Sequence, residues 1–232
     1  MEFSIGLAFS DPQLLNMTLD VAVVDYGMGN LRSVHNALLH VAPKARIAIT
    51  SDAQAVRDAR RVVVPGQSAM PDTMAALNAS GLREAVIEAA AKKPFLGICL
   101  GLQMLFEISA EGPTPCLGVY PGTVIRFDPA RMTDAAGHRQ KVPHMGWSPV
   151  HQQRAHPLWA GIADDTRFYF AHSYFPVPQD AGLIAGTVDY PDARQPFTCA
   201  IGRATLFAVQ FHPEKSSTAG LRLLANFVSW TA

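Results

Sequence analysis

From Asp20 onward the chain alternates short, β-branched apolar runs with segments in which apolar residues recur at helical spacing. Val21 to Tyr26 (VAVVDY) precedes a helical stretch around Leu31 to Leu39. Next come Arg46 to Thr50, a short helix, Arg61 to Val64 (RVVV), a helical region through Ala90, and Phe95 to Ile98. Apolar runs uninterrupted by polar positions suit strands buried on both faces, and the helices between them serve as crossovers. This pattern predicts an α/β fold, doubly wound around a mostly parallel central sheet. After about Cys116 the strand-like segments lie closer together, with Gly and Pro turns: Val119 to Phe127, Lys141 to His151, Arg167 to Phe175, Leu183 to Asp189, Phe197 to Gly202 and Thr205 to Phe211. They are expected to form antiparallel or mixed extensions of the same sheet. A helix from Ser216 to Trp230, with Leu221, Leu224 and Val228 on one face, closes the pattern.

No repeat or linker interrupts residues 17–232, which are expected to form a single domain. The first sixteen residues lack the basic start and small-residue cleavage site of a secretory signal. Met17 stands just before the first strand, so residues 1–16 are expected to be a disordered extension.

Composition narrows the function classes. Lys+Arg and Asp+Glu both count 19, which leaves no global field to attract nucleic acid or a charged membrane surface. No apolar run approaches the roughly eighteen residues of a membrane span. The three cysteines, Cys99, Cys116 and Cys199, are too few and too unevenly spaced for a disulfide scaffold. None has a metal-binding spacing, so no metal or cofactor is expected and a reducing cytoplasm is the natural compartment.

The stretch PFLGICLGLQ (94–103) places Cys99 between Gly97 and Gly101, where a strand gives way to a helix. This is the G-x-nucleophile-x-G form of a nucleophile elbow, whose glycines permit a sharp turn and close approach and leave the apex side chain exposed. Backbone N–H groups at a helix start favour thiolate over thiol and can hold an oxyanion. The competing expectation is a small buried core residue, the commoner fate of a lone cysteine. A nucleophilic cysteine needs a base, and eight histidines compete for that role. His35 and His40 are expected on a helix surface, and His138, His151 and His156 have no obvious companion. His212 differs, because in an extended chain Glu214 would point the same way and could orient its ring, with Pro213 stiffening the spacing. Cys99, His212 and Glu214 then form a candidate triad, although a solvated strand end would carry the same two side chains.

Together the elbow, Gln103 and the later His212-Pro213-Glu214 resemble the class I glutamine amidotransferase family. DYGMGNLRSV (25–34), VPHMGW (142–147), FAHSY (170–174) and QFHPEKS (210–216) are similar to one branch of it, the glutaminase subunits of imidazole glycerol phosphate synthases. The resemblance implies that Cys99 attacks glutamine to form a γ-glutamyl thioester while His212, oriented by Glu214, carries protons. It implies oxyanion donors at Leu100 and Gln67, and substrate contacts from Gln103, Ser68, Ser173 and Tyr174. It further implies a (β/α)8-barrel cyclase as heterodimer partner and ammonia acceptor, met by Asn30, Trp147 and Lys215. Here the sequence has Pro65-Gly66-Gln67-Ser68 where the family's common form is PGVG. Serine disfavours backbone angles that glycine permits, so the turn is expected to differ energetically. Ser148 likewise replaces a common asparagine after Trp147. The same triad would also serve another ammonia acceptor or a partner-independent γ-glutamyl hydrolase or cysteine peptidase.

Overall fold

The structure, a computed structural model, describes residues 18–192 and 194–231, so the expected extension at residues 1–16 lies outside the described residues. In chain order the first part is β1 (Val21–Val24), α1 (Leu31–Val41), β2 (Ile47–Thr50), α2 (Ala53–Asp58), β3 (Val62–Gly66), α3 (Met70–Ala79), α4 (Arg83–Lys92), β4 (Phe95–Cys99) and α5 (Leu100–Gln103). The second part holds β5 (Ile108–Ser109), β6 (Thr114–Pro115), β7 (Gly122–Arg126), β8 (His144–Pro149), β9 (His151–Gln152), β10 (Arg167–His172), β11 (Tyr174–Pro178), β12 (Ile184–Asp189), β13 (Pro196–Arg203), β14 (Leu206–Val209) and α6 (Ser217–Ser229).

Eight strands build the central sheet in the order β2-β1-β3-β4-β14-β13-β12-β9. The first five are mutually parallel, and β14 passes from the parallel half to the antiparallel extension β13-β12-β9. The mostly parallel α/β sheet is therefore as the apolar runs predict. Successive side chains serve two opposite cores. Val21, Val23, Val63 and Ile98 pack with Val34 and Leu38 of α1 and Leu224 and Phe227 of α6. Ala22, Val24, Val62 and Val64 pack with Val56 of α2, Met74 and Leu77 of α3 and Val86 of α4.

The expectation that every later strand extends this sheet is corrected. Strands β11-β7-β5-β6 form a separate four-stranded sheet, and β10 pairs with β8 alone. The segment Arg167 to Phe175 breaks at Ser173, so that β10 and β11 pair with different partners. The reason lies in burial: β7 and β8 hide only part of their side chains, and strands of that kind suit sheets with one solvated face.

One close approach positions the site. A Cβ on Gly101 would stand 1.9 Å from the Val64 carbonyl oxygen, and one on Gly97 would stand 2.5 Å from the Gly101 carbonyl oxygen. Both glycines let α5 lie directly against β3 and β4. Gly101→Ala should therefore cost at least about 3 kcal/mol, the upper end for overpacking, because its methyl meets backbone that cannot repack. Urea denaturation measures this, and a wild-type midpoint would contradict the packing described.

Candidate active site

Cys99 ends β4 with φ 57 and ψ −108, a conformation that costs a non-glycine residue about 1–3 kcal/mol. The strain of the elbow thus sits on the cysteine, while the flanking glycines provide clearance. Cys99 is 6% exposed, so the expected exposed apex is corrected: the buried thiol lines a cleft. The helix that follows has only four residues, so its first N–H groups matter more than any long-range dipole.

Strand β3 runs beside β4 with Gly66 opposite Cys99, which places Gln67 and Ser68 across the cleft from the thiol. The Tyr26 hydroxyl donates to the Pro65 carbonyl at 2.7 Å, and a Cβ on Gly66 would lie 2.6 Å from Leu100 Cβ. Pro65 and Gly66 are pinned, whereas Gln67 and Ser68 are exposed. Ser68 has φ 118, in the region that favours glycine, which gives the departure from PGVG a concrete form.

His212 lies just beyond β14, and its N–H donates to the Tyr169 carbonyl at 2.9 Å. The expected extended spacing between His212 and Glu214 is corrected. Pro213–Lys215 form a 3-10 turn, and this turn brings Glu214 Oε1 to 3.0 Å from His212 Nδ1. Ser216 Oγ donates to the His212 carbonyl at 2.6 Å and so helps hold the turn. Both side chains of the pair are almost fully buried, so a solvated strand end does not describe them. Burial opposes a charge on His212, but hydrogen bonding to Cys99 and Glu214, and their charges, outweigh it and raise the imidazole to about 10.

His35, His138, His151 and His156 have companions that sequence spacing did not reveal. His151 lies 2.5 Å from Asp165 and 3.2 Å from Asp189, His138 lies 3.5 Å from Asp134, and His156 stacks on Phe207. His35 Nε2 lies 3.1 Å from the Ile47 carbonyl, half-buried rather than on the surface, while His40 is exposed. None of these lines the Cys99 cleft.

That cleft has a volume of about 220 Å³ and gathers Cys99, Leu100, Gln67, Ser68, Gln103, Ser173, Tyr174 and His212. Gln103 is 2% exposed, which rules out a solvent role. Its Nε2 donates to the Tyr174 carbonyl and to Gln210 Oε1, both at 2.9 Å, while its Oε1 is buried without a partner among the described residues. Tyr174 is half-buried, packing on one side and lining the cleft on the other. The cleft also contains Glu111 and His172, and Gln210 Nε2 donates to Cys99 Sγ at 3.6 Å. Sequence reasoning missed these three. Glu111 is one carboxylate in a turn, His172 lay within a motif without an assigned role, and Gln210 sits two residues from His212, a proximity that could have drawn attention to it.

Trp147 is 45% exposed and Met145 63% exposed on β8, so core packing does not account for Trp147. The Tyr169 ring lies 6.2 Å from the Trp147 ring, and Lys215 Nζ lies 6.0 Å from the Tyr169 centroid. These residues share one face. Asn30 begins α1 and follows Gly29, whose Cβ position would lie 3.5 Å from the Pro65 carbonyl oxygen. A larger open hollow of about 1040 Å³ adjoins Trp147 and carries Arg126, Arg139 and Lys141, but neither Cys99 nor His212 lines it. Among the described residues, no group of three or more His, Cys, Asp or Glu side chains could hold a metal ion, and no helix is long and apolar enough to cross a membrane.

A family profile described as "Glutamine amidotransferase class-I" matches residues 22–230, and the chain belongs to that family. It is 61% identical over 211 residues to the "Imidazole glycerol phosphate synthase subunit HisH" of Aromatoleum aromaticum, covering 91% of this chain and 98% of that relative. The protein of the same name from Thiobacillus denitrificans is 58% identical, with 92% of each chain covered. Among solved structures, a glutamine amidotransferase from Thermotoga maritima superimposes with a TM-score of 0.55 at 16% identity, covering 85% of this chain and 77% of that one. At that identity the likeness concerns the fold.

Two outcomes check the site. Ser68→Gly should stabilise the protein by about 1 kcal/mol, because relief of about 1–3 kcal/mol of strain exceeds the entropy glycine loses on folding. Equal urea midpoints for the two proteins would show that Ser68 is unstrained. His212 has a folded value above its ordinary 6.5, so its contribution to stability is complete below that pH and is lost as pH rises through about 10. NMR titration should find the imidazolium persisting above its usual range, with Glu214→Gln lowering the midpoint. An unchanged midpoint would remove Glu214 as a cause.

Proposed function

We propose that this chain is the glutaminase subunit of an imidazole glycerol phosphate synthase, hydrolysing glutamine and passing ammonia to a (β/α)8-barrel cyclase in histidine biosynthesis. The observation that carries the chemistry is the shared cleft of Cys99 and His212, with Glu214 held behind the imidazole at 3.0 Å. Identity of 61% to a protein of that name supports the pathway. The single domain spans residues 17–232 and works in the cytoplasm, where three free thiols persist.

The reaction uses the groups present. Cys99 thiolate attacks the side-chain amide carbon of glutamine, giving a tetrahedral intermediate whose oxyanion is met by the N–H groups of Leu100 and Gln67. The His212 imidazolium gives its proton to the amide nitrogen, the C–N bond breaks, and ammonia leaves a γ-glutamyl thioester on Cys99. Neutral His212 then takes a proton from water, whose oxygen attacks the thioester carbon. The C–S bond breaks to release glutamate and restore thiolate and imidazolium. Gln103 Oε1, buried and unpartnered, suits an N–H of the substrate, and the Glu111 carboxylate suits its α-ammonium group. Ser68, Ser173 and Tyr174 complete the wall.

Ammonia in neutral water is mostly protonated and no longer nucleophilic, so it must pass directly to its acceptor. The exposed Met145 and Trp147, with Tyr169 and Lys215 beside them and Asn30 near the oxyanion turn, make an aromatic and charged face suited to the cyclase. Glutamate release should rise strongly when the cyclase and its nucleotide ligand are added together. Cys99→Ala should abolish turnover while leaving the complex intact on gel filtration. Full turnover without a partner would instead indicate a γ-glutamyl hydrolase, and activity retained by Cys99→Ala would exclude the thioester route.

A further inference from the structure

Strands β8 and β10 bring two buried histidines into register, His144 opposite His172. His172 Nδ1 lies 2.8 Å from the Tyr174 carbonyl, His172 Nε2 lies 3.0 Å from His144 Nδ1, and His144 Nε2 lies 2.8 Å from Ser148 Oγ. A carbonyl only accepts, so His172 carries its hydrogen on Nδ1. Burial pushes His172 down to about 3 and His144 down to about 4, so both rings are neutral and each has one N–H. The direction of every bond follows. Ser148 donates to His144, His144 donates to His172, and His172 donates to the Tyr174 carbonyl.

The same carbonyl accepts from Gln103 Nε2 at 2.9 Å. Gln103 also donates to Gln210 Oε1 at 2.9 Å, and Gln210 Nε2 donates to Cys99 Sγ at 3.6 Å. Two hydrogen-bonded arms therefore meet on Tyr174, one ending at the candidate nucleophile and the other at Ser148. The outer arm belongs to a strand with two distinct faces. His144 is buried and Ser148 half-buried, while Met145 and Trp147 between them are exposed. One strand thus carries both the buried His144 of the array and the exposed Met145 and Trp147.

Resting on the glutaminase reading, we propose that Ser148, His144 and His172 are positioning residues that couple the outer face of β8 to Cys99 through Tyr174, Gln103 and Gln210. Their task is to hold the Tyr174 carbonyl, and with it the Gln103 and Gln210 amides, in the arrangement that serves the thiol. Loss of the terminal donor leaves His144 Nε2 short of its partner and loosens the chain, and the effect falls on glutamine turnover and on the reactivity of the thiol.

The test uses the full chain, alone and with its cyclase partner, and compares Ser148→Ala, Ser148→Thr and His172→Ala. Two measurements are made: kcat and KM for glutamine, and the rate at which iodoacetamide alkylates Cys99 without substrate. Ser148→Ala should lower kcat/KM for glutamine about fivefold and alter the alkylation rate, as loss of one part-buried hydrogen bond would allow. Ser148→Thr, which keeps the hydroxyl, should restore both values. His172→Ala should have a larger effect; if it does not fold, Ser148→Ala decides alone. Wild-type kcat, KM and alkylation rate in Ser148→Ala would overturn the coupling. If the wild type turns over no glutamine, the functional reading fails, and the alkylation rates alone then support the array by differing or refute it by coinciding.

Discussion

The Val64 carbonyl oxygen occupies the space that any side chain at position 101 would need, and the site depends on that contact. Because α5 lies flat against β3, the chain leaving β4 has no room for a gradual bend. The turn is concentrated at Cys99, which takes up φ 57. A strained residue persists only where its surroundings over-determine it. Here Gly97 and Gly101 permit the contact, while the parallel pairing of β4 with β3 on one side and β14 on the other fixes the strand that delivers the thiol.

The polar side of the site is arranged just as tightly. Glu214 is almost completely buried, and its Oε2 has no hydrogen-bond partner among the described residues, which leaves the His212 imidazole as the main compensation for the carboxylate's loss of water. The charge pair and the 3-10 turn that carries it support each other, since Ser216 bonds both the His212 carbonyl and the Tyr169 N–H. The turn at Pro65 to Ser68, the proposed oxyanion turn, contrasts with this. Pro65 and Gly66 are anchored to Tyr26 and Leu100, but Gln67 and Ser68 stand in solvent, with the strained residue at the free end. The fixed His212 and the loosely held turn share one small cleft.

Much of this was legible in the residues. VAVVDY, RVVV and PFLGICLG mark the parallel strands because doubly buried strands cannot carry polar positions, and the cysteine between two glycines marks the elbow. The departures come from effects without a local signature. Glu214 reaches His212 through a turn, although an extended spacing would also have paired them. The half-exposed strands β7, β8, β10 and β11 form small separate sheets because pairing partners are chosen in space. Glu111 and His172 enter the cleft by tertiary placement, and nothing near Glu111 distinguishes it from a surface carboxylate.

Strands β4 and β14 are neighbours in space, yet the chain carries Cys99 long before His212. The ribosome therefore delivers the proposed nucleophile well before its proposed base. Between those moments the emerging polypeptide holds a thiol without the imidazole that would activate it. Insertion of β14 beside β4 completes the parallel half of the sheet and brings Cys99 and His212 into one cleft, so the proposed reactive pair exists only once that half of the sheet is paired.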